Sequence, residues 1–314
     1  MKIYNEKISL SSDLINKDYT FSLLADIHNT KYTSLRLWNK LIEEIRKIKP
    51  EIIFIPGDLI YTADDLLDET TKEKLKYLLY NLSNIAPVYI SLGNHDFKDG
   101  KKLKFNNTIT YFKSLENDNL YFLNNESIDF NKEIDIIGFS PRYEAYYPSH
   151  KQNWNKYFIE DLLKSNIKYN KNKYVILLTH SPLVIKDIAD TIDDLLIKTK
   201  NENELKKLEE VKKILSHINI VLCGHMHDGL IPKYVRKIGL FKGDKGLMAI
   251  EGESLRNTFG KVRYCRGIHN VLNAKMVITK GVNKWCQPNL VFSTIGRLVA
   301  KDITTINLTK RKEE

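Results

Sequence analysis

Phe21-Ser22-Leu23-Leu24-Ala25-Asp26-Ile27-His28 is an apolar, strand-like run that stops at a carboxylate and an imidazole. Four more runs end in the same way. Glu51 to Pro56 stops at Gly57-Asp58, Val88 to Leu92 stops at Gly93-Asn94-His95-Asp96, Tyr174 to Thr179 stops at His180, and Ile218 to Cys223 stops at Gly224-His225-Met226-His227. Continuous apolar strands imply a sheet covered on both faces. Between the first two, Ser34 to Lys49 places Leu35, Trp38, Leu41, Ile42, Ile45 and Ile48 at helical spacing, with Ser34 as N-cap and Pro50 as stop. Further helices are expected near Thr71–Asn84, Trp154–Leu163 and Asn203–Ser216. Further strands are expected at Ile134–Phe139 and near Met276–Thr279 and Thr304–Leu308. The alternation is that of an α/β protein.

Ligands and catalytic groups gather at the strand ends of α/β sheets. A lone Asp after a strand reads as a turn or cap, and a lone His as a hydrogen-bonded core residue. Here 5 of the 8 histidines fall in these clusters beside Asp26, Asp58 and Asn94, and that coincidence outweighs the separate structural readings. Imidazole, carboxylate and amide oxygen without thiolate suit Mn, Fe, Zn or a similar divalent ion. Two such ions held close together repel, so a carboxylate must bridge them. A water shared by both ionises near neutral pH and can attack phosphorus in line. The glycines before Asp58, Asn94 and His225 allow sharp turns beside the metals.

The remaining composition bounds the reading. A length of 314 residues allows two domains or one large one. No composition shift divides the chain, so a single domain over 1–314 is expected, with longer insertions at about 97–170 and 228–300. No apolar stretch approaches the roughly 18 residues of a membrane span, and Met1 to Leu24 lacks the apolar core of a signal peptide. Three cysteines without a C-x-x-C pair point to a reducing, cytoplasmic setting. The net charge of +10 is carried mainly by Lys. It reads as a solvated exterior, with nucleic acid as the partner it keeps open.

The order D-x-H, G-D, G-N-H-[ED], H, G-H-x-H, running from Asp26 to His227, resembles the calcineurin-like metallophosphoesterase superfamily. The resemblance implies a four-layer α/β fold, a central β-sandwich flanked by helices, with a dimetal site at the strand ends. It implies Asp26, His28 and His227 on one metal, Asp58 as bridge, and Asn94, His180 and His225 on the other, manganese being one candidate ion. His95 would contact the phosphoryl oxygen and protonate the leaving group, oriented by Asp96. The activity implied is hydrolysis of a phosphate mono- or diester by a metal-bridging hydroxide, the alternative being a nuclease using the same site. A finer resemblance is to the bacterial branch whose last block commonly reads G-H-T-H-G-G-Q, some of whose members act on phospholipid-like or nucleotide-sugar-lipid substrates. A phosphorylated small molecule or lipid-like substrate, and peripheral membrane association, follow from it. Here Met226 and Asp228 replace Thr and Gly, so the ligands match and the pocket wall departs.

Arg142 and Arg266 are candidates for substrate phosphate, against a surface-loop reading. Tyr143, Tyr146 and Tyr147 could line a pocket, and Trp285 and Phe292 could cover it. His150, His217 and His269 fall outside the motifs, and Cys223 reads as a small core residue.

Overall fold

The computed structural model describes residues 2–146, 155–165, 167–182, 185–230, 264–283 and 301–311. Tyr147, His150, Cys286, Trp285, Phe292 and most of the stretch 228–300 lie outside them. Among the described residues the chain runs β1 (Ile3–Ser12), β2 (Tyr19–Leu23), α1 (Leu35–Ile48), β3 (Ile52–Pro56), α2 (Glu69–Ser83), β4 (Val88–Ser91), α3 (Phe105–Ser114), β5 (Leu120–Phe122), β6 (Glu126–Asp129) and β7 (Ile134–Phe139). It continues through α4 (Asn155–Lys164), β8 (Tyr174–Thr179), α5 (Ile185–Lys198), α6 (Glu202–His217), β9 (Ile218–Cys223), β10 (Gly267–Val271), β11 (Ala274–Ile278) and β12 (Lys301–Lys310).

The strands form two six-stranded sheets, ordered β1-β12-β2-β3-β4-β5 and β10-β11-β9-β8-β7-β6. In the first, β2, β3, β4 and β5 are parallel. In the second, β7, β8, β9 and β11 are parallel. The two-residue repeat of a strand sorts each apolar run onto two faces. In β3, Ile53 and Ile55 pack under α1 and α2 with Trp38, Leu41, Ile45 and Leu78. Ile52 and Phe54 face the other sheet, meeting Ile136, Ile176, Leu178 and Ile220. Val175 and Leu177 of β8 turn outward onto Phe158, Ile188, Ile192 and Leu215 of α4, α5 and α6. Three cores thus separate four layers, helix–sheet–sheet–helix, which is the expected architecture.

Several boundaries follow from local chemistry. Ser34 caps α1 by accepting from Arg36 N (3.2 Å). α2 starts at Glu69 rather than at Thr71, because Asp68 is its cap and accepts from Thr71 N (2.8 Å). Residues 97–170 supply α3 and strands β5 and β6 besides the expected α4 and β7, and both sheets draw on this stretch. β5 and β6 are short and hidden in a Lys/Asn-rich background, and pairing with β4 and β7 defines them. The helix α5 was not expected. Its four aspartates mask the Ile188 and Ile192 stripe that packs on the second sheet.

Phe54 is fully buried between the sheets and meets Phe21 edge-on, with ring centroids 5.6 Å apart. Phe54→Ala is expected to lower unfolding stability by about 3–5 kcal/mol, read as a shifted urea midpoint at unchanged slope.

Candidate metal centre

All five expected clusters sit at the C-terminal ends of parallel strands: β2, β3 and β4 in one sheet, β8 and β9 in the other. The packing of the sheets brings the two groups of turns together. Asp26, His28, Asp58, His225, His227 and Asp228 all take left-handed backbone, with φ between 40° and 66°. Such a conformation costs a non-glycine residue about 1–2 kcal/mol, and strained residues of this kind cluster at functional sites. The turns are knitted by backbone bonds, His28 N to Asp58 O (2.8 Å), Asn29 N to Leu59 O (2.8 Å) and Gly224 N to His180 O (3.0 Å). At Gly93 the β4 turn crosses so close that a Cβ would stand 2.2 Å from Asp58 Oδ1.

The side chains converge in three overlapping groups: Asp26 with His28 and His227; His28 with Asp58 and His95; and Asp58 with His180 and His225. All but His95 are buried, and Asn94 is buried beside them. Asp58 Oδ2 lies 3.5 Å from His28 Nε2 on one side and 3.1 Å from His180 Nε2 on the other. His227 Nε2 is 3.6 Å from Asp26 Oδ1.

The donor chemistry fits divalent ions. His180 Nδ1 is 2.6 Å from Pro56 O, which can only accept, so Nδ1 carries a proton and Nε2 faces Asp58. His28 Nε2 and His227 Nε2 face each other at 3.3 Å, and His225 Nδ1 faces His180 Nε2 at 3.1 Å. Lone pairs this close repel unless a proton or a cation lies between them. Burial, reinforced by the neighbouring His95 and His180, pushes His28 down to about 3 although Asp58 pulls the other way. Burial and His180 likewise push His225 down to about 3. Neutral imidazole is the ligating form. Burial opposes charge on His180, but Asp58 and Asp26 outweigh it and lift the ring to about 9. Burial would raise Asp58, yet His180, His95 and His28 hold it well below the ordinary carboxylate range. Asp58 is therefore held as a carboxylate where the two clusters meet.

Asp96 differs from expectation. Its carboxylate accepts from the backbone N–H groups of Asp58 (2.8 Å), Leu59 (2.9 Å), Ile60 (3.3 Å) and Gly93 (2.9 Å). It clamps the β3 turn to the β4 turn and does not orient the His95 ring. The turn's N–H groups lack ladder partners and need an acceptor, and one carboxylate supplies it. Burial and the nearby Asp58 charge push Asp96 up to about 7, against the backbone donors of Gly93 and Ile60. His95 donates its backbone N–H to Asp58 Oδ1 (2.9 Å), and its Nδ1 lies 2.8 Å from Tyr61 O.

The two arginines are also engaged elsewhere. Arg142 is forked onto Asp161, with Nε at 2.7 Å, pairs with Glu160 and lies over Tyr157. That cationic group is spent on α4. Arg266 is buried and donates from Nη1 to both Asp228 O (3.0 Å) and Asp228 Oδ1 (2.7 Å), bracing the left-handed turn after His227. Tyr146 is buried with its ring centroid 5.6 Å from that of His225 and 6.0 Å from that of His180, so it walls the second cluster. His217 bonds Lys213 O at the end of α6, and His269 bonds Arg266 O.

Reading the sequence missed a sixth strand-end turn. After β11, Val282 N donates to Ala25 O (2.9 Å), Asn283 N to Asp26 O (3.0 Å) and Asn283 Nδ2 to His28 O (3.2 Å). Gly281, at φ 83°, approaches Asp26 so closely that a Cβ would lie 2.7 Å from Oδ2. The available signal was Gly281-Val282-Asn283 directly following an apolar run. Tyr61 was missed as well, because it contributes a backbone carbonyl.

With that geometry in view, residues 19–229 match the model of the calcineurin-like phosphoesterase family. The chain belongs to this family, a class of metal-dependent phosphoesterases. It is 27% identical over 225 residues to an uncharacterised metallophosphoesterase of Helicobacter pylori, covering 70% of this chain and 47% of that one. It is 24% identical over 234 residues to one of Campylobacter jejuni, covering 73% and 49%. The match thus spans about half the length of these relatives. Among solved structures, a dimetal phosphatase from Danio rerio aligns over 85% of this chain and 88% of its own, at 11% identity and a TM-score of 0.40. Among the described residues, no helix is long and apolar enough to cross a membrane.

Asp96→Ala would orphan four N–H groups and release the β3 and β4 turns from each other. Each buried donor left unsatisfied costs about 1–3 kcal/mol. The variant is expected to unfold at lower denaturant and to bind Mn²⁺ about 10–100-fold more weakly, read by titration calorimetry.

Proposed function

We propose that the protein is a dinuclear metal-dependent hydrolase of phosphate mono- or diesters. Asp26, His28 and His227 would hold one divalent ion, Asn94, His180 and His225 the other, with Asp58 between them. The observation that carries this reading is Asp58, whose buried carboxylate stands within reach of histidines of both clusters. When bound, the ion pair supplies Lewis acidity toward phosphoryl oxygens and a water nucleophile usable near neutral pH.

The chain's own residues do the rest. The Pro56 carbonyl orients His180 so that its Nε2 points into the site. Asp96 fixes the turn from which Asp58 projects. Arg266 and Asp228 brace His227. Tyr146 and the surrounding strands exclude bulk water from the His180–His225 side. His95, half-buried where the other residues of the three groups are buried, is the group that contacts the phosphoryl oxygen and hands a proton to the leaving group. Its Nδ1 donates to Tyr61 O, which leaves Nε2 for the substrate. A cytoplasmic setting belongs to the same reading, on three cysteines without a C-x-x-C pair.

The test is hydrolysis of p-nitrophenyl phosphate and bis-p-nitrophenyl phosphate by the Mn²⁺-loaded chain, before and after chelation. Chelation is expected to abolish turnover, and re-addition to restore it. Asp58→Ala is expected to lose more than the about 10–100-fold typical of outer-shell changes, together with bound metal by elemental analysis. Full activity in that variant would refute the reading. His95→Ala is expected to lower kcat about 10²–10⁴-fold with metal content retained. The net charge of +10 keeps a nuclease in view, and steep salt dependence of DNA or RNA binding and cleavage would select it.

A further inference from the structure

The displaced role of Asp96 leaves open what orients His95. The ring nitrogen Nδ1 lies 2.8 Å from Tyr61 O. A carbonyl has no proton to give, so Nδ1 donates. The Tyr61 carbonyl belongs to the same peptide unit as the Thr62 N–H, and that N–H donates to Asp65 Oδ2 at 2.9 Å. The Tyr61 N–H donates to the same oxygen, also at 2.9 Å. One carboxylate oxygen therefore grips the peptides on both sides of Tyr61. The Tyr61 ring lies against the His95 ring, with centroids 4.5 Å apart. The far side of the loop is tied to the β4 turn by Ala63 N to Lys98 O (3.0 Å) and Lys98 N to His95 O (3.2 Å).

A cap alone would account for the Thr62 N–H, since Asp65 stands at the third position of a short 3₁₀ turn over Ala63–Leu67. It would not account for the Tyr61 N–H, nor for the shared peptide ending on a catalytic imidazole. Hydrogen bonds in series polarise one another, most strongly when one end is charged. A carboxylate on the N–H of a peptide makes its carbonyl a better acceptor, and that favours a proton on His95 Nδ1.

We propose that Asp65 is the positioning residue for His95, acting through the Tyr61–Thr62 peptide group, in place of a side-chain carboxylate bonded directly to the ring. The relay sets the tautomer and aim of the imidazole, so that Nε2 faces the leaving-group oxygen. No proton passes along it: the bonds orient, and the proton delivered to the leaving group comes from Nε2. The catalytic consequence rests on the role given to His95 above, whereas the structural link does not.

The experiment combines two readouts on the full chain. The first is the His95 Nδ1–H resonance in long-range ¹H–¹⁵N spectra, identified by its loss in His95→Ala. It is expected downfield and protected in the parent, shifted upfield and exchanging rapidly in Asp65→Ala, and retained in Asp65→Asn, whose amide oxygen can still accept from both N–H groups. The second is kcat and KM of the Mn²⁺-loaded enzyme on matched phenyl and p-nitrophenyl phosphate esters. The phenoxide leaves poorly and needs the proton, whereas nitrophenoxide does not. Asp65→Ala is expected to lose about tenfold more kcat on the phenyl ester than on the p-nitrophenyl ester, with KM little changed. Asp65→Asn is expected to recover most of that difference. A resonance unmoved in Asp65→Ala, or equal losses on both esters, overturns the proposal. If His95→Ala itself shows no leaving-group discrimination, the role of His95 fails while the resonance still decides the relay. The resonance also decides it alone should neither ester be turned over.

Discussion

Asp58 is a buried carboxylate with imidazoles on either side. An ionised group placed there is costly unless opposite charge or strong donors surround it. Much of the architecture around the strand ends answers that requirement. His28 and His180 approach from different sheets, the His95 backbone N–H reaches Asp58 Oδ1, and Asp96 gathers the N–H groups of the turn from which Asp58 projects. Gly93 has no side chain because the second turn passes through the space one would occupy.

The same requirement explains where the backbone is strained. Six non-glycine residues of the site adopt left-handed φ. Each must leave a strand and reverse at once if its side chain is to meet those of the other turns. The three apolar cores, extending on both faces of both sheets, make the strand ends rigid enough to hold these conformations. Residues that never touch the cluster with a side chain are part of the same framework. The carbonyls of Pro56 and Tyr61 fix two histidine tautomers, and the Gly281–Asn283 turn closes over Asp26 and His28.

Much of this was legible in the chain. The five apolar runs, their α/β alternation and the polar residues at their ends are local features, because a strand's two-residue period and a turn's composition are written in neighbouring positions. The amphipathic stripe and Ser34 cap of α1 were equally local. Elements defined by partners were not. β5 is three residues long and exists as a strand because β4 pairs with it. In β1 the polar run Asn5-Glu6-Lys7 breaks the two-residue period, and its strand identity comes from β12, nearly the whole chain length away.

The sequence by itself determined which residue types stand at the strand ends, and hence the chemistry open to them: nitrogen and oxygen donors suited to divalent ions. Tertiary structure decided how those residues divide their work. Asp96 follows His95 in the chain and could have bonded its ring, but its carboxylate accepts from three N–H groups of the β3 turn and one of the β4 turn. Arg142 could have met a phosphate, but Asp161 and Glu160 of α4 hold it. Composition states what a side chain is able to bond. The competing partner it bonds is set by distance, and distance between residues far apart in sequence exists only once the two sheets have packed.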